Sequence, residues 1–401
     1  MTFMLILALN SGSSSIKYRL LRMPDGTTLA GGLVEGIGES TGRCTCRRHD
    51  DGAEAPSSRT LSIADHRQGL ALIFDGLGAL PGQGLAVGHR VVHGGSLFDA
   101  AALIDDRVTA QIAALQSLAP LHNPPNLLGI QACRALWPQV PQVAVFDTAF
   151  HQTLPPHAYH YALPRRLCDE QGVRRYGFHG ISVQSALQRA AAHLGKAPEH
   201  TNLIVLHLGN GASVTAIQAG RSVDTSMGMT PLAGLMMGSR CGDVDPGLLL
   251  HLLQQGELDA DGLADLLTRR SGFNGVCGDN DLRRILARAE QGDAAAQLAL
   301  DMYAHQIKKY IGAYCAVLGR VDALVFTGGI GENAAPVRAA ALQGLEMLGM
   351  ALDARKNAAA SAELRAIHAA SSRVEVLVIP ADEEREVAEQ TYRLVTTVSC
   401  C

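Results

Sequence analysis

Two short stretches constrain this chain more than anything else in it: "MLILALNSGSSSIKYRL" (4–20) and "NLIVLHLGNGASVTAI" (202–217). Each runs from a short apolar strand, through a bend of Asn, Gly and Ser, into a second strand. In the first, Met4 to Leu9 are apolar, and Ile16, Tyr18 and Leu20 then alternate with Lys17 and Arg19, the period of a half-buried strand. In the second, Leu203 to Leu208 lead through Gly209-Asn210-Gly211 into Ser213 to Ile217. The two hairpins lie about 200 residues apart in a chain of 401, which predicts two similar halves that share one ligand. Residues Asn10 to Ser15 offer hydroxyls and backbone N–H groups that suit an oxyanion, with Lys17 close by. Taken alone, the first bend is more simply ordinary turn chemistry. It is not a Walker A loop, because Gly-x-x-x-x-Gly-Lys-Ser/Thr is absent and a strand follows instead of a helix.

A third unit, "DALVFTGGIGENAAPVRAAAL" (322–342), reads as a strand ending in Gly328-Gly329-Ile330-Gly331-Glu332-Asn333 and followed by a helix, whose first turn presents unpaired N–H groups. "LAVGHRVVHGG" (85–95) and "QVAVFDTAFH" (142–151) read as buried strands that deliver charged or imidazole groups at their ends, where open α/β sheets hold ligands. Apolar spacing and Pro or Gly boundaries predict helices near 108–118, 125–136, 181–194, 246–255, 294–318 and 382–396. Strands and helices alternate throughout, so the class is α/β. The Asp50 to Ser58 patch reads as a surface loop.

The hydrophobic content of 47% supplies core for two domains, and a net charge of −4 gives no broad basic field for nucleic acid or an anionic membrane. No run reaches the roughly 20 apolar residues of a membrane span, and the first apolar stretch lacks a basic leader, so a cytosolic protein is expected. The nine cysteines, Cys44, Cys46, Cys133, Cys168, Cys241, Cys277, Cys315, Cys400 and Cys401, show no paired zinc spacing and read as reduced thiols.

The motifs "NSGSSSIK" (10–17), "GHRVVHGG" (88–95), "FDTAFH" (146–151), "YGFHG" (176–180), "HLGNG" (207–211), "TPLAGLMMGSRCGDVDPG" (230–247) and "GGIGEN" (328–333) together resemble the acetate kinase family, in the family's order and over nearly the whole chain. The resemblance implies two actin-like (ribonuclease H-like) domains with a cleft between them. The first would span 1–150 and be completed by a C-terminal helix, 383–401; the second, residues 151–382, would bind the nucleotide. It implies reversible transfer of the γ-phosphoryl group of ATP to acetate, giving acetyl phosphate and ADP, with magnesium or manganese, in a homodimer.

Residue by residue, the resemblance puts the metal at Asn10 and Glu383 and a nucleotide phosphate contact at Lys17. Arg90 matches the acetate-binding arginine, and Val92, Leu121, Phe178 and Pro231 match the pocket for its methyl group. Asp147 matches the active-site carboxylate, and His179 and Arg240 the groups that stabilise the transition state. Nucleotide contacts carry over to His207, Leu208, Gly209, Asn210 and Gly211, to Asp281, Leu282 and Arg283, and to Gly329, Ile330, Gly331, Glu332 and Asn333.

The chemistry suits those residue types. Acetate is already a carboxylate at neutral pH, since free carboxyls titrate near about pH 4, so attack on phosphorus needs no base. The difficulty is that two anions must meet, and cations aimed at the transferring group answer it. Asp147 then has no proton to move and is expected to orient its neighbours. The sequence departs from the family at Cys241, where serine is common, at Ala233, where glutamate is, and in "GFNGVCGDNDLRR" (272–284), which is one residue short before Asp281. Val92 favours acetate over propionate, because alanine there would admit another methylene. A propionate kinase, a sugar kinase and an actin-like or Hsp70-like nucleotide switch are the alternatives.

Overall fold

The computed structural model describes residues 3–49, 57–78 and 84–398. They form two compact units, one of Met1–Phe150 with Asp382–Cys401 and one of His151–Ala381. The first is built on strands β1 (Met4–Ser11), β2 (Ser15–Met23), β3 (Thr27–Glu35), β4 (Gly42–Arg48), β5 (Ser57–Leu61), β6 (Leu85–Val91), β7 (Ala102–Leu103) and β8 (Gln142–Phe146). They lie in the order β5-β4-β3-β2-β1-β6-β8-β7. The second unit carries β9 (Leu203–Leu208), β10 (Ala212–Gln218), β11 (Arg221–Thr225), β12 (Ala323–Thr327), β13 (Arg365–Ala366) and β14 (Glu375–Val378), in the order β11-β10-β9-β12-β14-β13.

The two sheets repeat one plan. In the first, β1 is antiparallel to β2 and parallel to β6, which is parallel to β8. In the second, β9 is antiparallel to β10 and parallel to β12, which is parallel to β14. Antiparallel strands close both edges of this six-stranded pattern, β3 and β7 in one unit and β11 and β13 in the other. Only β4 and β5 lie outside the correspondence. All six residues of β9 are buried, as a strand covered on both faces requires, which is why it reads as an apolar run interrupted only by His207.

In the first unit Leu7, Leu9, Ile16, Tyr18 and Leu20 form a core with Leu70 and Ile73 of the helix His66–Leu77. The helix Glu383–Val398 packs across β1, β6 and β8. Gly88 makes that approach possible, because a Cβ there would stand 2.3 Å from Thr391 Oγ1 and 2.7 Å from Val387 Cγ1. The close docking fixes where the acidic first turn of the helix ends up.

The expected helices occur as Asp106–Ala114 with a further 3₁₀ turn at Leu115–Ser117, Asn123–Leu136, Gly180–His193, Pro246–Gln254, Ala294–Leu318 and Glu383–Val398. The first starts early because the Asp105 side chain accepts from Val108 N at 2.7 Å, a helix N-cap. Two readings need correction. Gly328–Asn333 is itself a helical turn, broken at Ala334 before a second helix, Ala335–Leu342, that carries a proline in its first turn. Of the expected 50–58 loop, Ser57 and Ser58 belong to β5, where they pair with Cys46 and Thr45, while 50–56 lie outside the described residues, as do Cys400 and Cys401. Cys44 and Cys46 are buried in β4.

Candidate active site

In the first unit the parallel strands β1, β6 and β8 bring Asn10, Arg90 and Asp147 to their carboxyl ends. Arg90 Nη2 donates to Asp147 Oδ2 at 2.5 Å, and Nη1 donates to Asn10 Oδ1 at 3.3 Å. Arg90 Nε lies 3.7 Å from Glu383 Oε2, at the start of the last helix. Asp147 is 1% exposed, and its second oxygen, Oδ1, has no hydrogen-bond partner among the described residues. Burial works against the Arg90 charge, but the carboxylates of Asp147 and Glu383 outweigh it and hold the guanidinium above its ordinary value. Burial pushes the Asp147 carboxyl above the usual carboxylate range, against the pull of Arg90.

Two buried asparagines from the helix Asn123–Leu136 pin the chain around this cluster, and nothing in the motifs marked them. Asn123 Oδ1 accepts from His93 N and its Nδ2 donates to His93 O; Asn126 Oδ1 accepts from Val92 N and its Nδ2 donates to Ser11 O at 2.7 Å. A buried Asn that satisfies both a donor and an acceptor of the main chain fixes a loop that has no ladder of its own. Val92 follows β6 and Leu121 is 61% exposed. Lys17, opposite Asn10 across the hairpin, is engaged by Glu384 at 2.6 Å.

In the second unit His179 precedes the helix Gly180–His193 with φ at 59°, a left-handed conformation that non-glycine residues adopt at some cost. Its Nδ1 lies 3.0 Å from Ser213 Oγ, and its ring stacks on that of His207 with centroids 4.1 Å apart. A Cβ on Gly211 would stand 3.4 Å from His179 Nε2 and 3.7 Å from Arg240 Nη1, so the imidazole and the guanidinium converge over that glycine. Arg240 Nη1 donates to Pro231 O at 3.0 Å, and burial lowers the Arg240 pKa. The loop carrying Arg240 is tied to its surroundings by backbone bonds from Cys241 N to Leu267 O, Ser271 N to Ser239 O, Phe273 N to Met237 O and Asn274 N to Gly238 O. Phe178 is buried, its carbonyl accepting from His151 Nε2.

A cavity of about 650 Å³ opens beside this group, lined by Asn210, Asn280, Asp281, Leu282, Arg283, Leu286, Gly329, Ile330, Asn333 and Ala334. Three separated motifs therefore meet on one hollow. His207, Leu208, Gly209, Gly211, Gly331 and Glu332 do not line it. Glu332 turns away, its Oε1 accepting from Ala381 N, and the carbonyls of Gly331 and Glu332 are held by Arg338. Arg338, unmarked by any motif, is 1% exposed, bonds Asn357 as well, and has its pKa drawn down to about 10 by burial.

The model of the acetokinase family matches residues 5–389. The chain belongs to the acetokinase family. The acetate kinase of Streptomyces griseus subsp. griseus is 54% identical over 395 residues, covering 97% of this chain and 96% of its own. That of Helicobacter pylori is 48% identical over 97% of this chain and 98% of its own. The crystal structure of Porphyromonas gingivalis acetate kinase superposes with a TM-score of 0.92 at 42% identity, covering 98% of this chain and all of that one. A propionate kinase from Francisella tularensis subsp. tularensis gives 0.90 at 38%, covering 97% and 99%. As an acetokinase-family member the chain is a phosphotransferase with a carboxyl group as acceptor, and its two α/β units have the actin-like fold. Likeness of fold does not separate acetate from propionate, since both kinases superpose almost equally.

Proposed function

We propose that this acetokinase-family protein transfers the γ-phosphoryl group of ATP reversibly to acetate, giving acetyl phosphate and ADP. The observation that carries the reading is 54% identity, over 97% of the chain, to a protein named acetate kinase. The residues suit the chemistry. On the first unit, Arg90 spends one strong hydrogen bond on Asp147 and keeps donors with which to hold a carboxylate. Asp147 acts as an orienting group, since an acetate anion offers no proton to abstract. On the second unit the hollow takes the nucleotide, with Asn210, Gly329, Asn333 and Asp281 to Arg283 on its walls. His179 and Arg240 serve the transferring group, whose charge spreads over its equatorial oxygens.

The oxygens of Asn10 and Glu383, with the unpartnered Oδ1 of Asp147, are the hard donors that suit magnesium, and Mg²⁺ keeps several waters, so few protein ligands suffice. When bound, the ion supplies charge that offsets the phosphate oxygens. Among the described residues no group of three or more His, Cys, Asp or Glu makes a denser metal cluster. Lys17 is paired with Glu384, and its ammonium keeps further donors for a phosphate.

The reading includes a homodimer in the cytosol; among the described residues no helix is long and apolar enough to cross a membrane, and sedimentation equilibrium tests the dimer. Trapping acyl phosphates as hydroxamates, with acetate, propionate and butyrate compared by kcat/KM, tests the activity. Acetate preference supports the reading and a clear propionate preference replaces it with a propionate kinase.

A further inference from the structure

Of the side chains around the second unit's site, Ser213 is the one whose chemistry the reaction leaves unaccounted for. It is fully buried on β10, where a hydroxyl has no packing reason to be. It stands opposite His207 in the β9–β10 ladder, so both project from the same face of the sheet. Above that face lies the His179 ring, stacked on His207 with an interplanar angle of 26°, its Nδ1 3.0 Å from Ser213 Oγ. His207 repeats the arrangement, with Nδ1 2.8 Å from the buried hydroxyl of Ser182. Each ring of the stack therefore has a serine hydroxyl on the same nitrogen.

We propose that Ser213 is a positioning residue for His179, donating its hydroxyl proton to Nδ1 and so holding the neutral imidazole as the tautomer that carries its proton on Nε2. Two imidazolium rings about 4 Å apart repel one another, which favours neutral rings, and a neutral ring has one donor and one acceptor nitrogen. A phosphoryl oxygen needs the donor. The Nε2 edge is the one over Gly211, beside Arg240 Nη1, so the hydroxyl on Nδ1 decides that the correct nitrogen bears the hydrogen. The inference rests on the proposed phosphoryl transfer for the role of Nε2, but not for the tautomer itself.

The experiment uses full-length protein labelled with ¹⁵N-histidine. In the wild type the His179 Nε2 gives a protonated-nitrogen shift and Nδ1 an unprotonated, hydrogen-bonded one. Ser213→Ala mixes or reverses the two. It lowers kcat by about 10-fold or more, the usual scale for losing a group that orients a functional imidazole, with KM for ATP and acid within about two-fold. Ser213→Thr, which keeps the hydroxyl, restores both readouts, and Ser213→Ala costs nothing further in a His179→Ala background. The inference is overturned by a wild-type spectrum with the proton on Nδ1, by a Ser213→Ala enzyme with wild-type kcat, or by a Ser213→Ala loss that recurs in full without His179. If wild type phosphorylates no short acid, the proposed function fails, and the nitrogen spectrum still judges Ser213.

Discussion

Arg90 and Asp147 meet at the ends of two adjacent parallel strands through a single 2.5 Å contact, and the remaining carboxylate oxygen of Asp147 is buried without a partner. The pair is held from one side by the sheet and from another by the acidic start of the last helix. Removing one member of a buried pair strands the other, at a cost of about 3–5 kcal/mol. Asp147→Ala should therefore lower unfolding free energy by that order, read in urea. Asp147→Asn should keep the fold, lose at least about 100-fold in kcat by misplacing Arg90, and leave the pH profile of kcat unchanged in shape, as an orienting role requires. A lost titrating limb would make Asp147 a proton carrier instead.

Gly211 offers a second test. An added methyl would make ordinary van der Waals contact with His179 and Arg240 and clash with nothing nearer than 3.4 Å. Gly211→Ala should therefore leave the melting temperature near that of wild type, yet fill the space over which His179 and Arg240 converge. The expected result is a kcat/KM at least about 10-fold lower, equivalent to about 1.4 kcal/mol of lost transition-state stabilisation.

Arg338 is a buried cation whose partners are two main-chain carbonyls at the end of the Gly328–Asn333 helix and the side chain and carbonyl of Asn357. Arg338→Met removes the donors to Gly331 O and to the side chain and carbonyl of Asn357, at about 1–3 kcal/mol for each buried acceptor left unpaired, while Arg365 Nη2 still donates to Glu332 O at 3.0 Å. Stability should fall by several kcal/mol. Because the helix lines the hollow proposed for the nucleotide and not the acceptor cluster, KM for ATP should rise more than KM for acetate.

His89 and His151 are fully buried, and burial drives both down to about 4. Between there and the ordinary value near 6.5 the unfolded chain binds a proton that the folded chain refuses, so stability rises with pH across that window. Each histidine's contribution is complete above about pH 6.5 and lost progressively towards pH 4, reaching about 3 kcal/mol. Asp147 and Glu386, raised by burial, act in the opposite sense, so the effect is best isolated by substitution. His89→Gln should show a smaller loss of urea stability between pH 7 and pH 5 than wild type.

The hairpins, the repeated halves and the six expected helix spans were legible because these depend on local alternation and capping that neighbouring residues declare, whereas helices such as His66–Leu77 and Ala260–Arg269 were not. Nor did the sequence declare β3 or β4. Gly31 and Gly32 interrupt the alternation of β3, and a Cβ on Gly32 would meet Thr45 O of β4 at 2.0 Å, so a close approach between strands decides that region. The helix Leu282–Glu290 was hidden because its charged face, with Arg283 and Arg284 bonded to Asp279 and Asp281, reads as a polar loop. At the site, motifs named the residues proposed to meet the reactants, Asn10, Arg90, Asp147, His179 and Arg240 among them. Asn123, Asn126 and Arg338, which hold the backbone behind them, act on carbonyls and N–H groups distant in sequence, so no local pattern betrays them. Lys17 shows the converse: its motif position was clear, but its pairing with Glu384 arises only from the docking of the last helix.

The central claim is that cationic groups, not a base, carry transfer between two anions, and Arg240 is the most exacting place to test it. Single-turnover and steady-state hydroxamate assays on Arg240→Ala, with acetate and ATP, read it directly. The account predicts a fall in kcat on the order of 10³-fold or more with KM for both substrates little changed. An Arg240→Ala enzyme that kept wild-type turnover would contradict it.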